Sequence, residues 1–333
     1  PYNPADPHNP MIDSKGRVWM TAKIRSNQDP SWCSDTTNKF AEWFPLQSSG
    51  RQAAFYDRNS QEFTLIDTCY ATHHLQFDND ANETVYFNEL TGPIFGWIDT
   101  KIFDETKDEQ KAVGWCGQVV DTNGDGRITR PWNRVAGRGE SILYQGDTAS
   151  GSTNAGARAG GGMDPALDTE VDFNLYSAVP SPVDDSIWGV SERFPGYLVR
   201  VDRGASPPQS CRAEVFRVPE PGFDPRGVDV DTNGVVWTAL AASSHLASFD
   251  RRKCKGSVGH KIDGSECREG WTLYQTNGPR LKGTDIPADF HYFNWVDQHN
   301  ILGLGANRPL ATGSNSDSLL VLDPQTREWI TMR

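Results

Sequence analysis

Residues 227–238 read Gly-Val-Asp-Val-Asp-Thr-Asn-Gly-Val-Val-Trp-Thr, and residues 11–20 read Met-Ile-Asp-Ser-Lys-Gly-Arg-Val-Trp-Met. Both run from an apolar segment into an Asp, with a Gly three residues later and a Trp six residues later: Asp231 to Trp237, Asp13 to Trp19. Apolar runs bounded by Asp, Asn and Gly read as two short strands joined by a tight turn. The pentapeptide Val-Asp-Thr-Asn-Gly stands at both 120–124 and 230–234, and looser copies of the unit occupy 75–87, 178–188 and 295–305. Such repetition marks an array of one supersecondary unit.

Working outward, a second kind of hairpin accompanies these copies. Residues 55–67 match 320–332, with Asp57 to Phe63 spaced as Asp323 to Trp329. Related pairs stand at 196–204 with 213–219 and at 244–252 with 271–276. Two hairpins make one four-stranded blade, and a radial array of such blades is an all-β fold, the β-propeller. Inner strands are expected to start near residues 9, 74, 117, 178, 227 and 294. A degenerate seventh blade is expected in 137–172 or 272–290, giving one seven-bladed domain over 1–333. Gly146–Met163 is rich in small residues, so 137–172 reads as a flexible insert. It lacks the Gly-Lys-Ser/Thr ending of a phosphate-binding loop.

Composition agrees. Of 333 residues 36% are hydrophobic and 11% aromatic, eleven of them Trp, which excludes a disordered chain. The net charge of −12 argues against a nucleic-acid partner, which needs a basic face. No apolar run approaches the roughly 18 residues of a membrane span. The expected partner is a small molecule in the central channel, with a protein partner as a further option. Six cysteines form an even set without a CxxC motif, so zinc-ribbon, thioredoxin and c-type haem signatures are missing. Cys254 and Cys267 bracket a short Gly-containing loop and are the expected disulfide, which places the protein in an oxidising setting, secreted or periplasmic.

The pattern Pro-[His/Arg], an apolar strand, Asp-x-x-Gly and Trp, followed by a hairpin ending in Asp, resembles the streptogramin (virginiamycin B) lyase-like and gluconolactonase/NHL-type propellers. Here it stands as Pro7-His8-Asn9 leading to Asp13 and Trp19, and as Pro225-Arg226-Gly227 leading to Asp231 and Trp237. The resemblance covers most of the chain. In the lyase-like family it implies a Mg²⁺-dependent elimination with a His base and acidic residues in the channel, and nominates His8, His73, His291 and Glu192.

The residues supply their own candidates. Counting back five from the turn Asp gives His8 from Asp13, His73 from Asp78, Arg226 from Asp231, and Tyr292, with His291 beside it, from Asp297. Equal offsets in a propeller fall at equal depth, so His8, His73 and His291 are expected to converge on a divalent or transition metal. Arg226 and Glu192 join them as catalytic candidates. If the ion is iron or copper the chemistry is oxidation; if the histidines only cap strand ends, the propeller is a non-catalytic scaffold. Asp121, Asn123, Asp125 and the Arg127 carbonyl have the spacing of the first half of a calcium loop, with Gly126 at its sharp turn and Trp132 where a bidentate Glu would stand. Structural Ca²⁺ is the expectation there. GxSxG, HExxH and GxGxxG motifs are absent, which leaves serine-hydrolase, zincin and dinucleotide readings without support.

Overall fold

The repeat has a hydrogen-bonding cause. Asp13 Oδ1 accepts from the backbone N–H groups of Lys15 (3.0 Å) and Arg17 (2.8 Å), while Oδ2 accepts from the Trp19 indole (2.9 Å). Asp231 Oδ1 accepts in the same way from the N–H groups of Asn233 (2.8 Å) and Val235 (2.9 Å). Gly16 and Gly234 take φ of 77° and 78° at the crest of the two turns, a left-handed conformation that glycine adopts without steric cost.

In the computed structural model, which describes residues 5–89, 92–134, 163–171, 173–192 and 194–333, these turns sit inside antiparallel sheets. The first joins β1 (His8–Ile12), β2 (Val18–Ala22), β3 (Gln52–Asp57) and β4 (Glu62–Ile66) in chain order. The second joins β5 (Thr72–Phe77), β6 (Val85–Glu89), β7 (Ile94–Ile98) and β8 (Val113–Gly117). A three-stranded sheet follows, with β9 (Val119–Val120), β10 (Asn133–Arg134) and β11 (Thr169–Glu170) in the order β10-β11-β9. The remaining sheets are β12 (Tyr176–Pro180) to β13 (Ile187–Ser191), β14 (Tyr197–Asp202) and β15 (Arg212–Arg217); β16 (Pro225–Val230) to β17 (Val236–Leu240), β18 (His245–Phe249) and β19 (Trp271–Gln275); and β20 (Asn294–Asp297) to β21 (Arg308–Gly313), β22 (Ser318–Leu322) and β23 (Trp329–Met332). Short helices α1 (Lys39–Trp43), α2 (Thr100–Thr106) and α3 (Glu109–Ala112) decorate the first half.

Five sheets are therefore four-stranded blades of a β-propeller, and the hairpins read at 11–20, 55–67, 75–87, 178–188, 227–238 and 320–332 lie in them, whereas the copy at 295–305 supplies only its first strand, since the partner strand β21 begins at Arg308. The start expected near 117 behaves differently. Although 120–124 repeats 230–234, β9 pairs antiparallel with β11 rather than with the next segment, and β10 pairs parallel with β11. β5 lies directly beside β12. Of the two places for a seventh blade, 137–172 lies largely outside the described residues. The other, 272–290, holds the end of β19 and an isolated Arg280–Pro287 bridge. By contact density the chain groups into Pro1–Pro180 with Val201–Ala213, and Ser181–Arg200 with Glu214–Arg333.

β6, β7, β8, β12, β13, β17 and β18 are buried along their whole length, on both faces, and Trp19, Tyr70 and Trp115 are fully enclosed. Their polar atoms are satisfied: the Tyr70 hydroxyl donates to the Trp97 carbonyl (3.0 Å) and the Trp115 indole to the Phe44 carbonyl (2.9 Å). Among the described residues no helix is long and apolar enough to cross a membrane.

All six cysteines are paired, as Cys33–Cys69, Cys116–Cys211 and Cys254–Cys267. The last closes the loop between the outer strands β18 and β19, as its spacing indicated. The chain-entropy model makes the longer loop the more stabilising. Replacing Cys116 and Cys211 (95 residues apart) by Ser is expected to lower the unfolding free energy by about 4.5 kcal/mol, and replacing Cys254 and Cys267 (13 apart) by about 3 kcal/mol. Denaturant titration of the two double variants checks this ranking; a larger loss for the shorter loop would contradict it.

Candidate metal centre

Three of the blades share a departure from regular pairing at the start of their first strand. β1 shifts register between His8 and Met11, β5 between Thr72 and Leu75, and β16 between Arg226 and Val228. Such a bulge bends the strand and re-aims its side chains. In β1 the accommodating residue is Asn9, with φ of 47°, and in β16 it is Gly227, with φ of 77°.

The consequence in β5 is chemical. Successive residues of a regular strand point to opposite faces, yet His73 and His74 are both buried with ring centroids 4.3 Å apart. His8 from β1 stacks on His73 (4.7 Å between centroids, 5° between planes) and meets His74 edge-on at 5.2 Å. Each of the three imidazoles offers a nitrogen, and these nitrogens lie within 4.8 Å of one another. Tyr176 at the start of β12 closes one side, 4.4 Å from His74 and 5.4 Å from His73.

Two asparagines pin the arrangement. Asn9 Oδ1 accepts from Leu75 N–H (2.8 Å), tying β1 to β5 beside the bulge. Asn88 Oδ1 accepts from His74 N–H (2.8 Å), and its amide donates to the Leu175 carbonyl (2.6 Å). Burial, followed by the nearby Arg51 guanidinium, pushes the His8 pKa down and favours the neutral ring; Asp6, which pairs with Arg51 at 2.5 Å, opposes this. His8 Nε2 is buried with no hydrogen-bond partner among the described residues.

The donor set selects the ion. Neutral imidazoles bind zinc, copper, nickel and iron, whereas Mg²⁺ takes oxygen ligands in octahedral array. The Mg²⁺ implied by the resemblance does not fit three nitrogens; a first-row transition metal does.

Of the expected trio, His8 and His73 come together, and the third imidazole beside them is His74. The offset rule counted one residue per strand and passed over it. The signal was the His-His pair itself, which matters only where a bulge turns both rings the same way. His291, just before β20, is fully buried in other company. Its Nδ1 lies 2.7 Å from the Thr312 carbonyl and its Nε2 3.0 Å from Thr276 Oγ1, so both nitrogens are engaged.

Arg226 occupies in β16 the position His8 occupies in β1: Arg226 pairs with Ala239, and His8 with Thr21. Its guanidinium meets Glu192 (Nη1 to Oε1, 2.6 Å) and lies over the Tyr292 ring at 4.4 Å. Burial raises Glu192 to about 7, with Asp224 adding to the effect and Arg226 opposing it. Burial likewise raises Asp224.

In the 121–128 loop the side-chain oxygens fold inward on the turn. Asp121 accepts from Gly124 N–H (2.9 Å) and Gly126 N–H (3.0 Å), Asn123 from Asp125 N–H (2.9 Å), and Asp125 from Arg127 N–H (2.9 Å).

No family model and no curated protein matches this chain. Among solved structures, virginiamycin B lyase from Staphylococcus aureus is similar over 98% of this chain and 69% of its own, with a TM-score of 0.51 and 9% identity. A catalytically inactive histidine-to-alanine variant of that lyase with quinupristin is similar over 99% and 70%, with the same TM-score and identity. At this identity the likeness concerns the backbone, and it establishes that the chain has the streptogramin-lyase type of propeller fold that its repeats resembled.

Proposed function

We propose that this protein is an exported metalloenzyme acting on a small molecule, with a first-row transition ion held by His8, His73 and His74. The observation that carries the reading is the convergence of three imidazoles from two neighbouring strands, the buried His73 and His74 and the half-buried His8, with Asn9 and Asn88 fixing the bulged backbone beneath them. When bound, such an ion supplies Lewis-acid polarisation of a substrate oxygen or, for iron or copper, a redox couple. Tyr176 walls the cluster and would orient what enters. Three disulfides and no free thiol among six cysteines support a secreted or periplasmic location. The fold by itself does not carry the activity, since propellers host lyases, oxidoreductases and binding modules alike. Metal analysis after reconstitution is expected to find a stoichiometric transition ion. His74→Ala should weaken its binding by at least the roughly 10–100-fold that even indirect changes around a metal cost. Reconstituted protein that retains no zinc, copper, nickel or iron would replace this reading with the scaffold one.

A second reading, elimination by a carboxylate base, rests on Glu192, whose raised value near 7 suits proton transfer at neutral pH. A folded-state value above the ordinary one means that the stability associated with protonated Glu192 is complete below about 4.5 and is lost as pH rises through about 7. The stability of the wild type relative to Glu192→Gln should therefore fall between pH 4.5 and 8, by about 3 kcal/mol. Paired denaturant curves at the two pH values measure it; a constant difference would mean that Glu192 titrates normally.

Structural Ca²⁺ at Asp121, Asn123, Asp125 and the Arg127 carbonyl is a separate proposal, supported by their spacing. Asp125→Ala should lower Tm in calcium and leave it unchanged in excess chelator. Equal melting of the wild type with and without calcium would leave a hydrogen-bonded turn and nothing more.

A further inference from the structure

We propose that Glu192, Asp224 and Arg226 form a binding site for an organic ammonium ion, whose N–H groups donate to the two carboxylates. The site shares no residue with the histidine cluster, and it binds whether or not Glu192 also moves a proton. Glu192 follows β13, Arg226 lies at the bulge of β16, and Asp224 precedes Pro225, the first residue of that strand. The Asp224 N–H donates to the Pro195 carbonyl (3.2 Å), and the Ala241 N–H donates to the Asp224 carbonyl (2.8 Å). The stretch after β13 and the stretch before β16 are thereby tied together beside the two acids.

Charge selects the ligand. Two carboxylates face one guanidinium, and among the described residues Arg226 is the one cation that acts on either acid. Arg226 is committed to Glu192, with Nη1 2.6 Å from Oε1, and its guanidinium lies 4.4 Å over the Tyr292 ring. Asp224 is left over. It is only 8% exposed, yet its carboxylate takes no hydrogen bond and no close ion pair from the described residues. Buried carboxylates are as a rule held by donors, so this one draws its donor from outside the protein. Burial pushes both acids toward the neutral form, and a bound cation would oppose that shift in each. The three side chains sum to one negative charge, which matches a monocation. A divalent metal ion fits less well, because a guanidinium stands among the donors. Among the described residues the one set of three close metal-donor side chains is the histidine cluster.

The surroundings give the cation its organic part. Phe194, two residues after Glu192, is 75% exposed and packs on Phe223, the neighbour of Asp224, with ring centroids 5.6 Å apart. Hydrocarbon attached to the ammonium group would cover this apolar surface and remove it from water.

Isothermal titration of the full chain at pH 8 with n-hexylammonium chloride tests the proposal, with 1-hexanol, hexanoate and calcium chloride as comparators. Saturable binding of hexylammonium is expected, with 1-hexanol and hexanoate at least about tenfold weaker. Asp224→Asn should weaken hexylammonium binding about tenfold to hundredfold, as loss of a charge-assisted hydrogen bond does. Asn also accepts the left-handed backbone of Asp224 (φ 57°), so this variant keeps the fold. Glu192→Gln, equal in size, should bind more weakly as well. Metal content should be unchanged in Asp224→Asn, which separates this site from the histidine cluster. Absence of saturable binding, equal or tighter binding of 1-hexanol or hexanoate, calcium binding that hexylammonium does not displace, or affinity unmoved in either variant would each overturn the assignment.

Discussion

The carboxylate that opens the β1–β2 turn, and its counterpart in the β16–β17 turn, are the constraint on which the repeat depends. Asp13 and Asp231 each gather two backbone N–H groups, at the second and fourth residues beyond them, and the crest closes through Gly16 or Gly234. This bonding fixes where the second strand begins. Ile12 therefore pairs with Val18, and Val230 with Val236. Because side-chain direction alternates along a strand, a turn one residue longer or shorter would exchange the buried and exposed faces. The turn also fixes the distance back to the bulge, and so the place of His8 and Arg226.

The histidine cluster is built where regularity ends. A strand without its bulge would send His73 and His74 to opposite faces of the sheet. With the register shift between Thr72 and Leu75 the two rings approach each other and His8 closes on them. The backbone irregularity is held by side-chain amides of Asn9 and Asn88, which satisfy N–H groups at the bulge that the ladder leaves open. The same strand position in β16 carries a guanidinium with Glu192 beside it. One repeated backbone device thus presents nitrogen donors in one blade and an ion pair in another.

The additions to the blades follow a different logic. Helices α1 to α3 are too short to hold themselves together by backbone bonding, and each depends on a capping Asn or Asp; α1 and α3 pack against β8, while α2 packs on α3 and sets Phe103 against Phe55 of β3. Two disulfides fasten the segments around them, so this outer layer is fixed by covalent ties where the blade pattern does not reach.

Much of the fold was legible in the chain because its causes are local. Asp13 to Trp19 and Asp231 to Trp237 span six residues, the hairpins close over a few residues, and Cys254–Cys267 closes one outer loop; alternation and turn chemistry reveal all of these. His8 and His73 were found by the same counting. Tertiary structure alone decided the rest. Among the described residues the identical Val-Asp-Thr-Asn-Gly at 120–124 opens no inner hairpin, because β9 finds its partner in Thr169–Glu170. The pairings Cys33–Cys69 and Cys116–Cys211, the entry of His74 and the separate company of His291 depend on contacts between residues tens of positions apart. A spacing rule describes what one hairpin does; which hairpins meet, and which side chains then face each other, is settled by packing and by the bulges that redirect single residues.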